Sequence, residues 1–170
     1  MPGPHTLAET ERTVEDRIAG LKIDYDAMNA VLGMFRAANA SRNHIVREVL
    51  APAGLTWTAF LTLWISWIWG SAETRIIAEE AGISKATLSG VLNTLENRGL
   101  INRLVDKKDK RLVLISLTPA GTRMIKKLFP LVNHEESFIV RDFTKKQQSE
   151  IADYMRGIFS AVEESGSEQD

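Results

Sequence analysis

Ser84-Lys85-Ala86-Thr87-Leu88-Ser89-Gly90-Val91-Leu92-Asn93-Thr94-Leu95-Glu96-Asn97-Arg98-Gly99 is the stretch on which the reading of this chain turns. Leu88, Val91, Leu92 and Leu95 recur at i, i+3, i+4 and i+7, the spacing of one buried helical face. Ser84 stands where an N-cap is wanted, and Gly99 closes the far end. The other side is unusual for a solvated helix. Ala86, Gly90, Asn93 and Asn97 run along its centre, with Thr87, Ser89 and Thr94 beside them, where Lys and Glu would be the ordinary choice. Gly90 costs about 1 kcal/mol of helix stability relative to alanine. That cost points to a close approach at this position, by an outside partner or by the segment that follows.

Downstream the period shifts from helical to alternating. Residues 100–105 and 112–117 read as two strands, joined by the polar tip Asp106-Lys107-Lys108-Asp109-Lys110-Arg111. Upstream, a short helix at about 75–81 ends in a turn at Gly82. Before it, Thr56 caps an apolar helix that Gly70 stops, and Pro52 with Gly54 ends a long helix from about 26 to 50. Residues 7–21 form a short amphipathic helix on Leu7, Val14, Ile18 and Leu21. Thr118-Pro119 opens another long helix, and Thr144 caps a last one reaching about 162, before a frayed acidic tail. Helix, turn, helix and hairpin follow in the order of a winged helix. The expected fold is mainly α with a small β-hairpin, divided into helices at 1–50, a winged helix-turn-helix at 51–118 and helices at 119–170.

Composition narrows the function. The 170 residues are 44% hydrophobic and 25% charged, ordinary for a globular protein. Cysteine is absent, which removes disulfides, thiol redox sensing and cysteine metal sites together. His5, His44 and His134 lack ligand spacing, so neither a metal nor a cofactor is expected. No nucleophile–base set or phosphate loop appears, and an enzyme is not expected. Residues 1–24 lack the apolar core of an export signal, which fits a cytoplasmic protein. Residues 49–72 carry no charge and hold four tryptophans. Pro52, Gly54, Thr56 and Thr58 interrupt that run, so it reads as a buried helix and no membrane is expected.

The formal net charge of −1 conceals a strong asymmetry. Residues 84–127 hold 10 basic and 3 acidic side chains, a balance of +7, between flanks of −3 and −5. A basic middle between acidic ends attracts phosphate on one face only. The smooth face of 84–98 can enter a major groove, where Asn pairs with the N6 and N7 edge of adenine and a threonine methyl meets thymine. The candidate contacts to double-stranded DNA are therefore Ser84, Lys85, Ala86, Thr87, Ser89, Gly90, Asn93, Thr94 and Asn97. Lys107, Lys108, Lys110 and Arg111 add cations at the hairpin tip, each phosphate contact steepening the salt dependence of log K by about 0.9. Asp109 is placed to hold Arg111 by an ion pair.

Residues 84–101 resemble the recognition helix of MarR-type (multiple antibiotic resistance) regulators, approximately Ser-x-Ser-Thr-Val-Thr-x-x-Val-x-x-Leu-Glu-x-x-Gly-Leu-Val. The likeness continues through Arg103, Asp109, Arg111 and Leu117-Thr118-x-x-Gly121, and upstream through Leu50-Ala51-Pro52-x-Gly54-Leu55-Thr56. Ala86, Leu88 and Ala59 depart from the common serine, valine and glutamine. The resemblance implies a homodimer built by the first and last helices, a pseudo-palindromic operator, an Arg111 that enters the minor groove and an Asp109 that orients it. It also implies a small aromatic or phenolic ligand between the dimer helices and the DNA-binding lobes. Candidates for that pocket are Phe35, Asn39, Arg42, His44, Trp57, Leu61 and Trp64. The resulting expectation is a ligand-responsive repressor. The alternatives are a winged helix used for protein contacts, against which the +7 segment argues, and an activator without a ligand.

Overall fold

The computed structural model describes residues 6–105 and 112–167. The chain forms two compact units, one ending at Ala38 and the other running from Asn39. In the first unit, α1 (Leu7–Ile18) starts at a reciprocal cap. The Glu9 amide donates to Thr6 Oγ1 at 3.2 Å, and the Thr6 amide donates to Glu9 Oε2 at 2.7 Å. That backbone hydrogen bond, with the Thr6 hydroxyl, holds the Glu9 carboxyl below its ordinary value. Arg36, on α2 (Tyr25–Ile45), forms an ion pair with Glu11 at 3.4 Å.

In the second unit, α2 does not continue as an α-helix to residue 50. Val46–Leu50 is a π-helical turn, closed by the Ala51 amide on the Val46 carbonyl at 2.8 Å. Wider turns of this kind are rare and mostly single, and this one stands just before Pro52. Helix α3 (Trp57–Ile68) begins where Thr56 Oγ1 accepts from the Ala59 amide at 3.1 Å. Phe60, Leu63 and Ile65 are buried on it, and so are Thr62 and Ser66, whereas Trp57, Leu61, Trp64 and Trp67 are half-buried and Ile68 at its end is exposed, so the helix is covered on one side rather than all round. Thr62 satisfies its hydroxyl on the Thr58 carbonyl at 2.9 Å.

Gly70, at φ +73°, turns the chain into a strand that sequence periodicity does not announce, β1 (Ser71–Glu73). Helices α4 (Thr74–Glu80) and α5 (Lys85–Asn97) come next, then β2 (Ile101–Val105) and β3 (Val113–Leu117). The expected two-stranded hairpin is thus the larger part of a three-stranded antiparallel sheet in the order β1-β3-β2. Ala72 faces Ile115, and Arg103 faces Ile115 from the other side.

Helix α6 (Pro119–Ile139) buries Gly121, Ile125, Leu128 and Val132 along one face. Its start is the tightest place in the fold. The Thr118 hydroxyl donates to the Gly99 carbonyl at 2.7 Å, and a Cβ on Gly121 would lie 2.0 Å from the Leu100 carbonyl oxygen. Helix α7 (Lys145–Ser167) opens with Thr144 and Gln147 bonding each other's backbone amides. Almost every described side chain along it is exposed. Among the described residues, no helix is long and apolar enough to cross a membrane.

Candidate nucleic-acid interface

Helices α4 and α5 are joined by a turn that the local sequence dictates. Gly82 adopts φ +63°, a conformation that L side chains resist. The amides of Gly82 and Ile83 return to the carbonyls of Glu79 and Ala78, each at 3.0 Å, and close α4. Ser84 opens α5 by accepting from the Thr87 amide at 3.1 Å. Leu88, Leu92 and Leu95 are buried beneath it, and Val91 is half-buried. The expected core stripe is the observed one.

With that stripe fixed, the face of α5 turned to solvent is also fixed. Ser84, Lys85, Ala86, Thr87, Ser89, Gly90, Asn93, Thr94 and Asn97 are all exposed. Among the described residues, nothing lies within 4 Å of a Cβ built on Gly90. The glycine therefore does not relieve packing against the hairpin strands, one of the two reasons its sequence position allowed. Its absent side chain opens a groove between α5 and the start of α3, floored by Thr56, Ala59, Thr87, Val91 and Thr94.

Arg98 pins the far end of α5. Its guanidinium donates to the Gly54 carbonyl at 2.6 Å and to the Ala53 carbonyl at 3.3 Å, tying the helix to the turn before α3. Arg103, on β2, reaches back to the same helix. It donates to the Asn93 side-chain carbonyl and pairs through Nε with Glu96 Oε2 at 3.0 Å. Sequence spacing missed both roles. A strand residue's partner ten positions away follows from how the sheet lies under the helix, and no local period encodes it.

Lys107, Lys108, Asp109, Lys110 and Arg111 lie outside the described residues. The strands on either side of them pair from Ile101 with Leu117 to Val105 with Val113.

The residues considered for a ligand fall into separate settings. Phe35 is exposed and belongs to the first unit. Asn39 accepts from Arg42 at 2.9 Å. His44 is held on both ring nitrogens: Arg47 lies 3.0 Å from Nδ1, and Glu135 Oε2 lies 2.6 Å from Nε2. Because a guanidinium only donates, Nδ1 is the acceptor and Nε2 carries the proton given to Glu135. The imidazole also stacks on Phe138, with centroids 5.3 Å apart. Trp57, Leu61 and Trp64 pack half-buried on the core. Trp64 stacks on Phe129 of α6 at 4.1 Å, and Trp57 meets Phe60 at 6.0 Å.

Comparison with known proteins follows the same geometry. A sequence model described as MarR family matches residues 55–113, from the residue before the Thr56 cap to the first residue of β3. An uncharacterized HTH-type transcriptional regulator of Bacillus subtilis, YwaE, is 32% identical over 164 residues, covering 93% of this chain and 96% of the relative. Among solved structures, AbsC of Streptomyces coelicolor, a MarR family transcriptional regulator, superposes with a TM-score of 0.73 at 19% identity, over 83% of this chain and 97% of that one. BpsR of Bordetella bronchiseptica, whose DNA binding is described as regulated by 6-hydroxynicotinic acid, gives 0.70 at 22% identity, over 76% and 98%. These two share the fold.

Proposed function

Because the chain belongs to the MarR family of transcriptional regulators, we propose that it is a ligand-responsive repressor that binds a pseudo-palindromic operator as a homodimer. One observation carries the reading: α5 stands on a fully buried leucine stripe and turns outward a face of mostly small, amide and hydroxyl side chains, with Lys85 in its first turn. Such a face fits a major groove without steric conflict or phosphate repulsion. Ser84, Lys85, Ala86, Thr87, Ser89, Gly90, Asn93, Thr94 and Asn97 are the proposed contacts there. Lys107, Lys108, Lys110 and Arg111 are proposed from their sequence as contacts to phosphate and minor groove, with Asp109 holding Arg111.

Homodimer formation is supported by α7, whose Ile151, Tyr154, Met155, Ile158, Phe159 and Val162 are exposed at helical spacing. Apolar rows of this kind seek a partner surface. Two recognition helices would then enter successive major grooves about 34 Å apart. The proposed ligand is a small aromatic or phenolic molecule, with Phe35, Asn39, Arg42, His44, Trp57, Leu61 and Trp64 as candidate contacts. It acts by binding more tightly to a dimer whose recognition helices are misplaced, and its effect is limited by that difference in affinity. Footprinting on the promoter of the protein's own gene, repeated with a panel of phenolic acids, tests the whole reading. A symmetric protected site that one acid releases is the expected result; no protection at low ionic strength would end it.

A further inference from the structure

The contact between Arg103 and Asn93 constrains what Asn93 can read. Asn93 and Glu96 lie one turn apart on α5, and Arg103 of β2 touches both. A guanidinium has donors and no acceptor, so the Asn93 atom it meets is the carbonyl oxygen. Glu96 is the single acidic side chain of α5 and fixes the guanidinium by its charge. The carbonyl of Asn93 is therefore turned toward the sheet, and its NH2 group is what remains for an outside partner.

That orientation bears on base choice. Asparagine reads adenine by accepting from N6 with its oxygen while donating to N7. With its oxygen turned to Arg103, the side chain presents the donors of its NH2 group to an outside partner. Among major-groove edges, guanine presents acceptors at both N7 and O6. We propose that Arg103 is a positioning residue that makes Asn93 select guanine rather than adenine, with Glu96 as its anchor. The inference rests on the DNA-binding reading above and narrows the sequence-based expectation of an adenine contact.

The test is a selection from duplexes with randomised half-sites, using the full-length protein, N93A, R103M and the charge-balanced pair E96Q/R103M. The unmodified protein should enrich guanine over adenine about tenfold at one position per half-site. N93A should lose that preference, and both Arg103 variants should lose it or move toward adenine with the slope of log K against log salt unchanged. Should R103M fail to fold, R103K keeps the cation with a weaker fork and should show a reduced guanine preference. A second readout needs no DNA. The Asn93 side-chain amide resonances should differ from those of a free asparagine and revert toward them in R103M. Guanine preference that survives loss of Arg103, or adenine preference in the unmodified protein, would overturn the proposal while leaving the regulator reading in place. A protein that binds no duplex at all would take down both.

Discussion

Helices α5 and α7 are both amphipathic and both leave a face open, yet water treats the two faces in opposite ways. On α5 the open side is mostly hydroxyl, amide and hydrogen, with the charges of Lys85 and Glu96 at its ends and nothing apolar larger than Ala86. On α7 it includes Tyr154, 70% exposed, and Phe159, 67% exposed. A large apolar side chain forgoes roughly 1.5–3 kcal/mol by staying in water. A 23-residue helix that buries so little also has small stability of its own. The α7 face therefore calls for protein cover, whereas the α5 face has no hydrophobic reason to be covered at all. Its partner must supply polarity and shape, as a nucleic-acid groove does.

The sharpest way to break this contrast is a charge on α7. Phe159→Glu should weaken self-association by about a hundredfold, the scale of an interface hot spot, and operator affinity should fall with it. Sedimentation equilibrium reads the first and fluorescence anisotropy the second. A dimer of unchanged strength would mean that the apolar row is not the contact.

Gly90→Leu comes next. The site is open, so thermal stability should hold or rise, since leucine is the better helix former by most of 1 kcal/mol. Operator affinity should nevertheless drop at least roughly tenfold, because the side chain fills the groove-facing surface. Loss of stability and binding together would count against a purely external role for this glycine.

Arg111→Ala should weaken binding to all duplexes and reduce the slope of log K against log salt by about 0.9 for each phosphate left without its cation. Titrations at several salt concentrations measure it, and an unaltered slope would remove the hairpin tip from the interface. Ser84→Ala has the smallest expected effect. Removing the cap from the Thr87 amide should lower unfolding free energy by about 1 kcal/mol, visible as a shifted urea midpoint, with base preference retained.

What the sequence disclosed and what it withheld divide along a physical line. Local hydrogen bonds were legible: the caps at Thr56 and Ser84 and the turns at Gly82 and Gly99 need only a few neighbouring residues. Periodicity gave the buried stripe of α5 and the strands on both sides of the polar tip. The rest depends on distant chain. Strand β1 is three residues long, too short to show alternation, and exists because β3 offers it a free edge. The openness around Gly90 and the hold of Arg103 on Asn93 arise from how separate elements meet. For the ligand, tryptophan spacing could not separate core from pocket, and Trp64 spends one ring face on Phe129.

Gly121 sets a limit on divergence. Any side chain there would drive into the carbonyl of Leu100, and a backbone atom cannot swing aside as a flexible side-chain tip can. Apart from the Ser84 cap and the hold of Asn93 and Glu96 on Arg103, the outward surfaces of α5 and α7 can change composition with the buried core intact. A descendant of this protein could thus acquire a new target or a new mate by surface substitution alone. The crossing between residues 100 and 121 would have to stay as it is.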